Sequence, residues 1–186
     1  MEGNMMKATG VIRRLDDLGR IVIPKEIRRT FRIREGDPME IFTNANGEVI
    51  LKKYSPISDL ADFAMQYAEA LAQNTGHIVC IMDKDQIIAV AGENKKELIN
   101  QPISRGMEEV IEERTLLVVD RQEGEELGIT MHDGDYKKEV IAPIVCQGDA
   151  IGAVVILAKN EKKENVETEK KLASTAASFL GKQMEI

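Results

Sequence analysis

Residues 11–54 alternate short β-branched runs with turn signals so tightly that only small elements fit. Val11-Ile12-Arg13-Arg14 leads into Asp16-Asp17-Leu18-Gly19, and Arg20-Ile21-Val22-Ile23 leads out, the pattern of a hairpin with basic residues flanking its loop. Pro24 then stands where a first helical turn has no N–H to lose, so a short helix is predicted over Lys25 to Arg32. At about 100° per residue, Lys25, Arg28, Arg29 and Arg32 share an arc of roughly 100°, while Ile27 and Phe31 point the other way. Arg34-Glu35-Gly36-Asp37-Pro38 ends that helix. A second hairpin, Met39 to Thr43 and Val49 to Tyr54, turns at Asn46-Gly47, a pair that suits positive φ. A module of about fifty residues buries too little surface to be comfortably stable, and both hairpins leave open edges. Dimerisation answers both needs.

The charge is divided the same way. The whole chain carries −7, yet residues 1–54 hold 11 Lys+Arg against 8 Asp+Glu, a net of +3. Residues 55–186 hold the other 14 Lys+Arg against 24 Asp+Glu, a net of −10. Between Lys7 and Arg34 nine basic residues face only Asp16, Asp17 and Glu26. A basic module joined to an acidic remainder points to a polyanion as partner of the first part. Single-stranded nucleic acid is disfavoured, because stacking platforms need rings and the chain has no Trp and 4% aromatics.

Ser55-Pro56-Ile57-Ser58 marks the domain boundary, with Ser55 as N-cap and Pro56 at the first helical position. Leu60, Phe63, Ala64, Tyr67, Ala68 and Leu71 recur at helical spacing, which predicts one amphipathic connector helix over 56–75, closed near Gly76. Its stripe suits packing on its own sheet or on another subunit's helix. Strands are expected at Ile78 to Met82 and Ile87 to Ala91 about an Asp83-Lys84-Asp85 turn. A helix near Ile103 to Glu113, a strand Leu116 to Val119 and an acidic loop around Glu123 to Glu126 follow. The strongest pair is Glu139 to Cys146 with Ala150 to Leu157, turning at Gln147-Gly148-Asp149. A final helix spans about Glu161 to Glu185, with Val166, Ala173, Ala176, Leu180 and Met184 along one side.

The run from Met6 to Tyr54, most specifically Asp17-Leu18-Gly19-Arg20-Ile21-Val22-Ile23-Pro24, resembles the AbrB-type transition-state regulators. That resemblance implies a dimeric swapped-hairpin β-barrel that binds double-stranded DNA. By position it assigns DNA contacts to Arg13, Arg20, Arg28 and Arg29; Arg14 stands where some relatives have lysine. With the helix face added, the expected DNA-binding set is Arg13, Arg14, Arg20, Lys25, Arg28, Arg29 and Arg32. Val140-Ile141-Ala142-Pro143-Ile144-Val145 with Gly148-Asp149-Ala150-Ile151-Gly152-Ala153-Val154 resembles GAF domains, an antiparallel sheet flanked by helices. Glu93 to Lys138, which would wall a GAF ligand pocket, departs from that pattern. Together the two resemblances define an α+β chain, residues 1–54 and 55–186. Ile33-Arg34-Glu35-Gly36-Asp37-Pro38, Ile50-Leu51-Lys52-Lys53-Tyr54-Ser55-Pro56-Ile57-Ser58 and Gly181-Lys182-Gln183-Met184-Glu185 are similar to sporulation regulators that join these two domains. This implies control of late, forespore-expressed genes, both up and down, by a cytoplasmic, nucleoid-associated protein.

No phosphate-cradling glycine loop, zinc spacing or nucleophile elbow appears, so no enzymatic role, catalytic residue, metal or cofactor is expected. His77 and His132 lie far apart without a ligand pattern. Cys80 and Cys146 sit in apolar strands, where a thiol is a small inert hydrophobe. Asn94-Lys95-Lys96-Glu97 reads as a solvated loop, and Glu108, Glu109, Glu112 and Glu113 as a helix surface. The longest apolar runs, such as Ile151 to Ala158, are too short to span a bilayer, and no membrane partner is expected. The partners expected are duplex DNA, a second copy through residues 1–54, a dimer of dimers through the GAF-like domain, and a small-molecule effector. The competing reading is an antitoxin using the same DNA domain, whose toxin-blocking tail would be short and disordered. Here 132 residues read as folded.

Overall fold

The computed structural model describes residues 9–93, 95–120, 127–130, 136–158 and 166–185, and the chain divides into two compact units, Met1–Tyr54 and Ser55–Ile186. The acidic loop expected at Glu123 to Glu126, His132, Asn94 and the start of the last helix lie outside the described residues.

In the first unit, α1 spans Lys25–Thr30, and β1 (Met39–Thr43) pairs antiparallel with β2 (Val49–Lys53) in the register Ile41↔Leu51. Pro24 is the N-cap of α1 rather than its first helical residue. The sequence pattern predicts a first hairpin, but the chain over 11–16 and 20–24 forms no strand ladder. Only the tip is closed, by Asp16 N–H donating to Arg20 O at 3.0 Å and Gly19 N–H to Asp16 O at 3.1 Å. β-branched arms that do not pair with each other carry strand sequence without an in-chain partner, as an interleaved barrel requires.

Among the described residues of this unit only Pro24 is buried. Thirteen large apolar side chains are exposed, Ile12 at 86% and Val22 at 72% among them. The described residues of this unit form no core of their own.

The second unit opens with the Ser58 amide donating to Ser55 Oγ at 3.3 Å, which caps α2 (Pro56–Asp59). The connector is not one helix: Leu60 leaves helical geometry at φ −105, ψ 26, and α3 runs separately over Ala61–Thr75. Gly76 ends α3 in the left-handed conformation, φ 70, that a glycine adopts without a Cβ penalty. β3 (Ile78–Asp83) and β4 (Ile87–Ala91) turn where Asp83 Oδ1 accepts from the Asp85 and Gln86 amides, both at 2.8 Å. Lys95–Leu98 forms a short α4 instead of the loop expected there. α5 (Arg105–Glu113) begins at the Ser104 cap, and β5 (Leu117–Asp120), β6 (Lys138–Cys146), β7 (Asp149–Ala158) and α6 (Val166–Gln183) follow.

The sheet is antiparallel, in the order β4-β3-β7-β6-β5. Period-2 alternation sends Cys80, Met82, Ile141 and Val155 to one face, where Met107 and Ile111 of α5 pack. Val79, Ile81, Val140 and Val154 go to the other, under Ala64 and Ala68 of α3 and Ala173, Ala176 and Leu180 of α6. A Cβ at Gly181 would meet the Val145 carbonyl oxygen at 2.2 Å, so α6 reaches β6 only because that position lacks a side chain. No helix among the described residues is long and apolar enough to cross a membrane.

Candidate nucleic-acid interface

Arg13, Arg14, Arg20, Lys25, Arg28, Arg29 and Arg32 are all exposed. Arg13 and Arg14 stand on the arm before the turn, Arg20 just after the turn, and Lys25, Arg28 and Arg29 on α1, which has no buried residue. Arg32 does not continue the helical face. The Ile33 amide donates back to Arg28 O at 2.8 Å and the Arg32 amide to Arg29 O at 3.4 Å, which closes the helix with Arg32 at φ 51. That closure normally places glycine at the left-handed position, and a side chain there costs roughly 1–2 kcal/mol. Lys53 Nζ then donates to Arg32 O at 3.1 Å while pairing with Asp37 at 3.2 Å, tying the end of α1 to β2.

The loop tip is organised by Asp16. Its Oδ1 accepts from the Leu18 amide (3.0 Å) and the Arg20 amide (2.7 Å), and its Oδ2 accepts from Arg20 Nε (2.7 Å). The hydrogen bonds from the Arg20 amide and guanidinium hold the Asp16 carboxyl below its ordinary value. From sequence Asp16 is only a turn residue; its spacing of four from Arg20 was the available signal.

Beside these cations lies an apolar groove of about 520 Å³, lined among others by Val11, Ile21, Ile23, Ile27, Phe31 and Leu51. Arg13 also lines it, so neighbouring arginines on the arm are presented differently.

The described residues of the second unit offer little chemistry. Burial pushes the Cys80 thiol up to about 12, with the Glu139 charge adding to the effect, so it is no nucleophile at neutral pH. Cys146 is only half-buried, less than its strand position implies; desolvation and the Glu185 and Asp149 charges raise it too, and its Sγ donates to Met184 O at 3.3 Å. His77, which has no ligand pattern in sequence, pairs through Nε2 with the buried Glu169 Oε1 at 2.9 Å and ties the junction between α3 and β3 to the first turn of α6. Among the described residues no cluster of His, Cys, Asp and Glu could hold a metal ion.

The chain thus joins a small basic module to a sheet with helices on both faces, and its relatives are known for both parts. Residues 59–185 match the family model "Stage V sporulation protein T C-terminal, transcription factor". Residues 12–59 match the model "Antidote-toxin recognition MazE, bacterial antitoxin". The chain is 52% identical over 180 residues to stage V sporulation protein T of Bacillus subtilis, covering 97% of this chain and 99% of that one. It is 53% identical over 51 residues to the transition state regulatory protein AbrB of the same organism, 27% of this chain and 52% of that one. The GAF domain of an Acinetobacter phosphoenolpyruvate-protein phosphotransferase superposes with TM-score 0.57 at 14% identity, over 72% of this chain and 84% of that one, so the second unit has a GAF-like fold. The chain belongs to the stage V sporulation protein T family of sporulation transcription factors, with an AbrB-type first domain and a GAF-like second one.

Proposed function

We propose that two copies interleave their 1–54 units into one β-barrel and that this dimer grips duplex DNA with Arg13, Arg14, Arg20, Lys25, Arg28, Arg29 and Arg32. The observation that carries this reading is the first unit's exposed apolar surface beside exposed cations. At about 1 kcal/mol for each half-exposed side chain covered, a second copy contributes on the order of 10 kcal/mol. Pairing of the unladdered arms satisfies their backbone at the same time. Arginine suits the DNA role because its planar fork bridges two acceptors, on phosphate or on a guanine edge. The small module has no long recognition helix, so backbone contacts and DNA shape dominate its readout.

The GAF-like units join such dimers into a dimer of dimers. Phe179, 39% exposed, stacks on Tyr67 (centroids 5.5 Å) and sits 5.9 Å from Phe63, an aromatic cluster on α3 and α6 that suits a helix-to-helix contact. In this reading the protein acts at the nucleoid of the forespore on late sporulation genes, raising some and lowering others, and a small molecule bound by the GAF-like unit modulates it. An antitoxin role is not favoured, because residues 55–186 form a folded unit rather than a toxin-wrapping tail. The test is full-length protein titrated onto labelled duplex over a salt series. Eight to ten phosphate contacts per dimer give a log–log slope of roughly −7 to −9. A flat salt response rejects the interface.

A further inference from the structure

Asp16 does more at the loop tip than close a turn. Two of its three contacts, from the Leu18 and Arg20 amides to Oδ1, cap the turn, and an asparagine would accept both equally well. The third differs. Arg20 Nε–H donates to Oδ2, the position where asparagine carries an NH₂ donor. The side chains are 70% and 37% exposed, a setting in which ion pairs add little stability. The carboxylate also stands among the cations, where its charge opposes an approaching phosphate chain. Affinity alone would be better served by a neutral residue there.

We propose that Asp16 is a positioning residue that aims the Arg20 fork in one direction, so that the loop tip discriminates among duplex sequences instead of serving any phosphate. This inference rests on the duplex-binding reading above. An arginine on a free stem samples many rotamers and neutralises whichever phosphate is near. With Nε held, the four N–H donors on the two terminal nitrogens present a fork of fixed direction. A fixed fork matches two acceptors at one register on a base edge or phosphate and misses them elsewhere. Pre-organisation lowers the ordering cost at the matching site only. Gly19, at φ 73 with open space around it, lets the tip adopt the tight backbone that brings Asp16 and Arg20 together. Because hydrogen bonds from Arg20 favour the charged carboxylate, the tether is ionised throughout the neutral range.

The experiment uses the full-length protein and two probes: a duplex enriched from a random pool by the wild-type protein, and a shuffled duplex of the same composition. In Asp16→Asn the enriched-to-shuffled affinity ratio falls about tenfold, the scale of one good bidentate contact. Affinity for the shuffled duplex stays constant or rises, and the melting temperature is unchanged. Asp16→Glu, which restores an acceptor for Nε, recovers part of the ratio. An unchanged ratio in Asp16→Asn overturns the inference, as does an equal loss on both probes accompanied by a lower melting temperature. If the wild-type protein enriches no duplex at all, the DNA reading itself fails and takes this inference with it.

Discussion

Replacing Arg28 and Arg29 together by alanine separates electrostatic grip from folding. Both side chains are exposed on α1, a helix with no buried residue, and only their backbone carbonyls serve its C-terminal closure. Alanine keeps those carbonyls and is the best helix former, so the melting temperature should hold. A dimer loses four cations, which at about 0.9 per phosphate contact takes roughly 3.6 off the salt slope and leaves it near −4 to −5. Extrapolated from 1 M to 0.15 M salt, that change weakens binding about a thousandfold. Fluorescence anisotropy of a labelled duplex, with salt varied from about 0.05 to 0.3 M, measures both slope and affinity. An unaltered slope would show that neither arginine meets phosphate. A fallen melting temperature would show that the pair holds the fold together instead.

Two further substitutions probe the backbone. Arg32→Gly relieves the left-handed strain but frees the unfolded chain, for a net gain of about 0.5–1 kcal/mol per subunit in thermal unfolding. The same change lowers the salt slope by about 2 per dimer if Arg32 meets phosphate, and by nothing if it does not. Gly181→Ala drives a methyl into the Val145 carbonyl, so α6 must lift from β6 at a cost of roughly 1–3 kcal/mol. At about 3 °C per kcal/mol, calorimetry of the full chain resolves this, and an undisturbed transition would mean that the helix has room to spare.

The second unit was legible because its patterns are satisfied within the chain. The β3–β4 and β6–β7 pairs, the Ser55 cap and the Gly76 stop follow from local alternation and turn chemistry that agree with the packing. The first unit was legible in charge but not in pairing. Its arms carry strand-like residues that local alternation reads as a hairpin, while the described chain forms no ladder between them. Arg32 leaves the arc of Lys25, Arg28 and Arg29 for a local reason, since α1 ends at Thr30, two residues before it, and Arg32 itself is left-handed. The break at Leu60 interrupts a stripe whose spacing is otherwise uniform. The His77–Glu169 pair, 92 residues apart, depends on α6 returning alongside α3 and leaves no mark in local spacing. Asp16 was visible as a turn residue, but its hold on Arg20 requires the side-chain geometry.

The most direct measurement follows the unfolding of a 1–54 fragment while its concentration is varied. If two copies share one core, each tenfold dilution costs about 1.4 kcal/mol of apparent stability and the midpoint falls with it, while sedimentation reports a dimer wherever the fragment is folded. A folded monomer whose midpoint ignores concentration would contradict the account, because thirteen exposed apolar side chains would then need no partner.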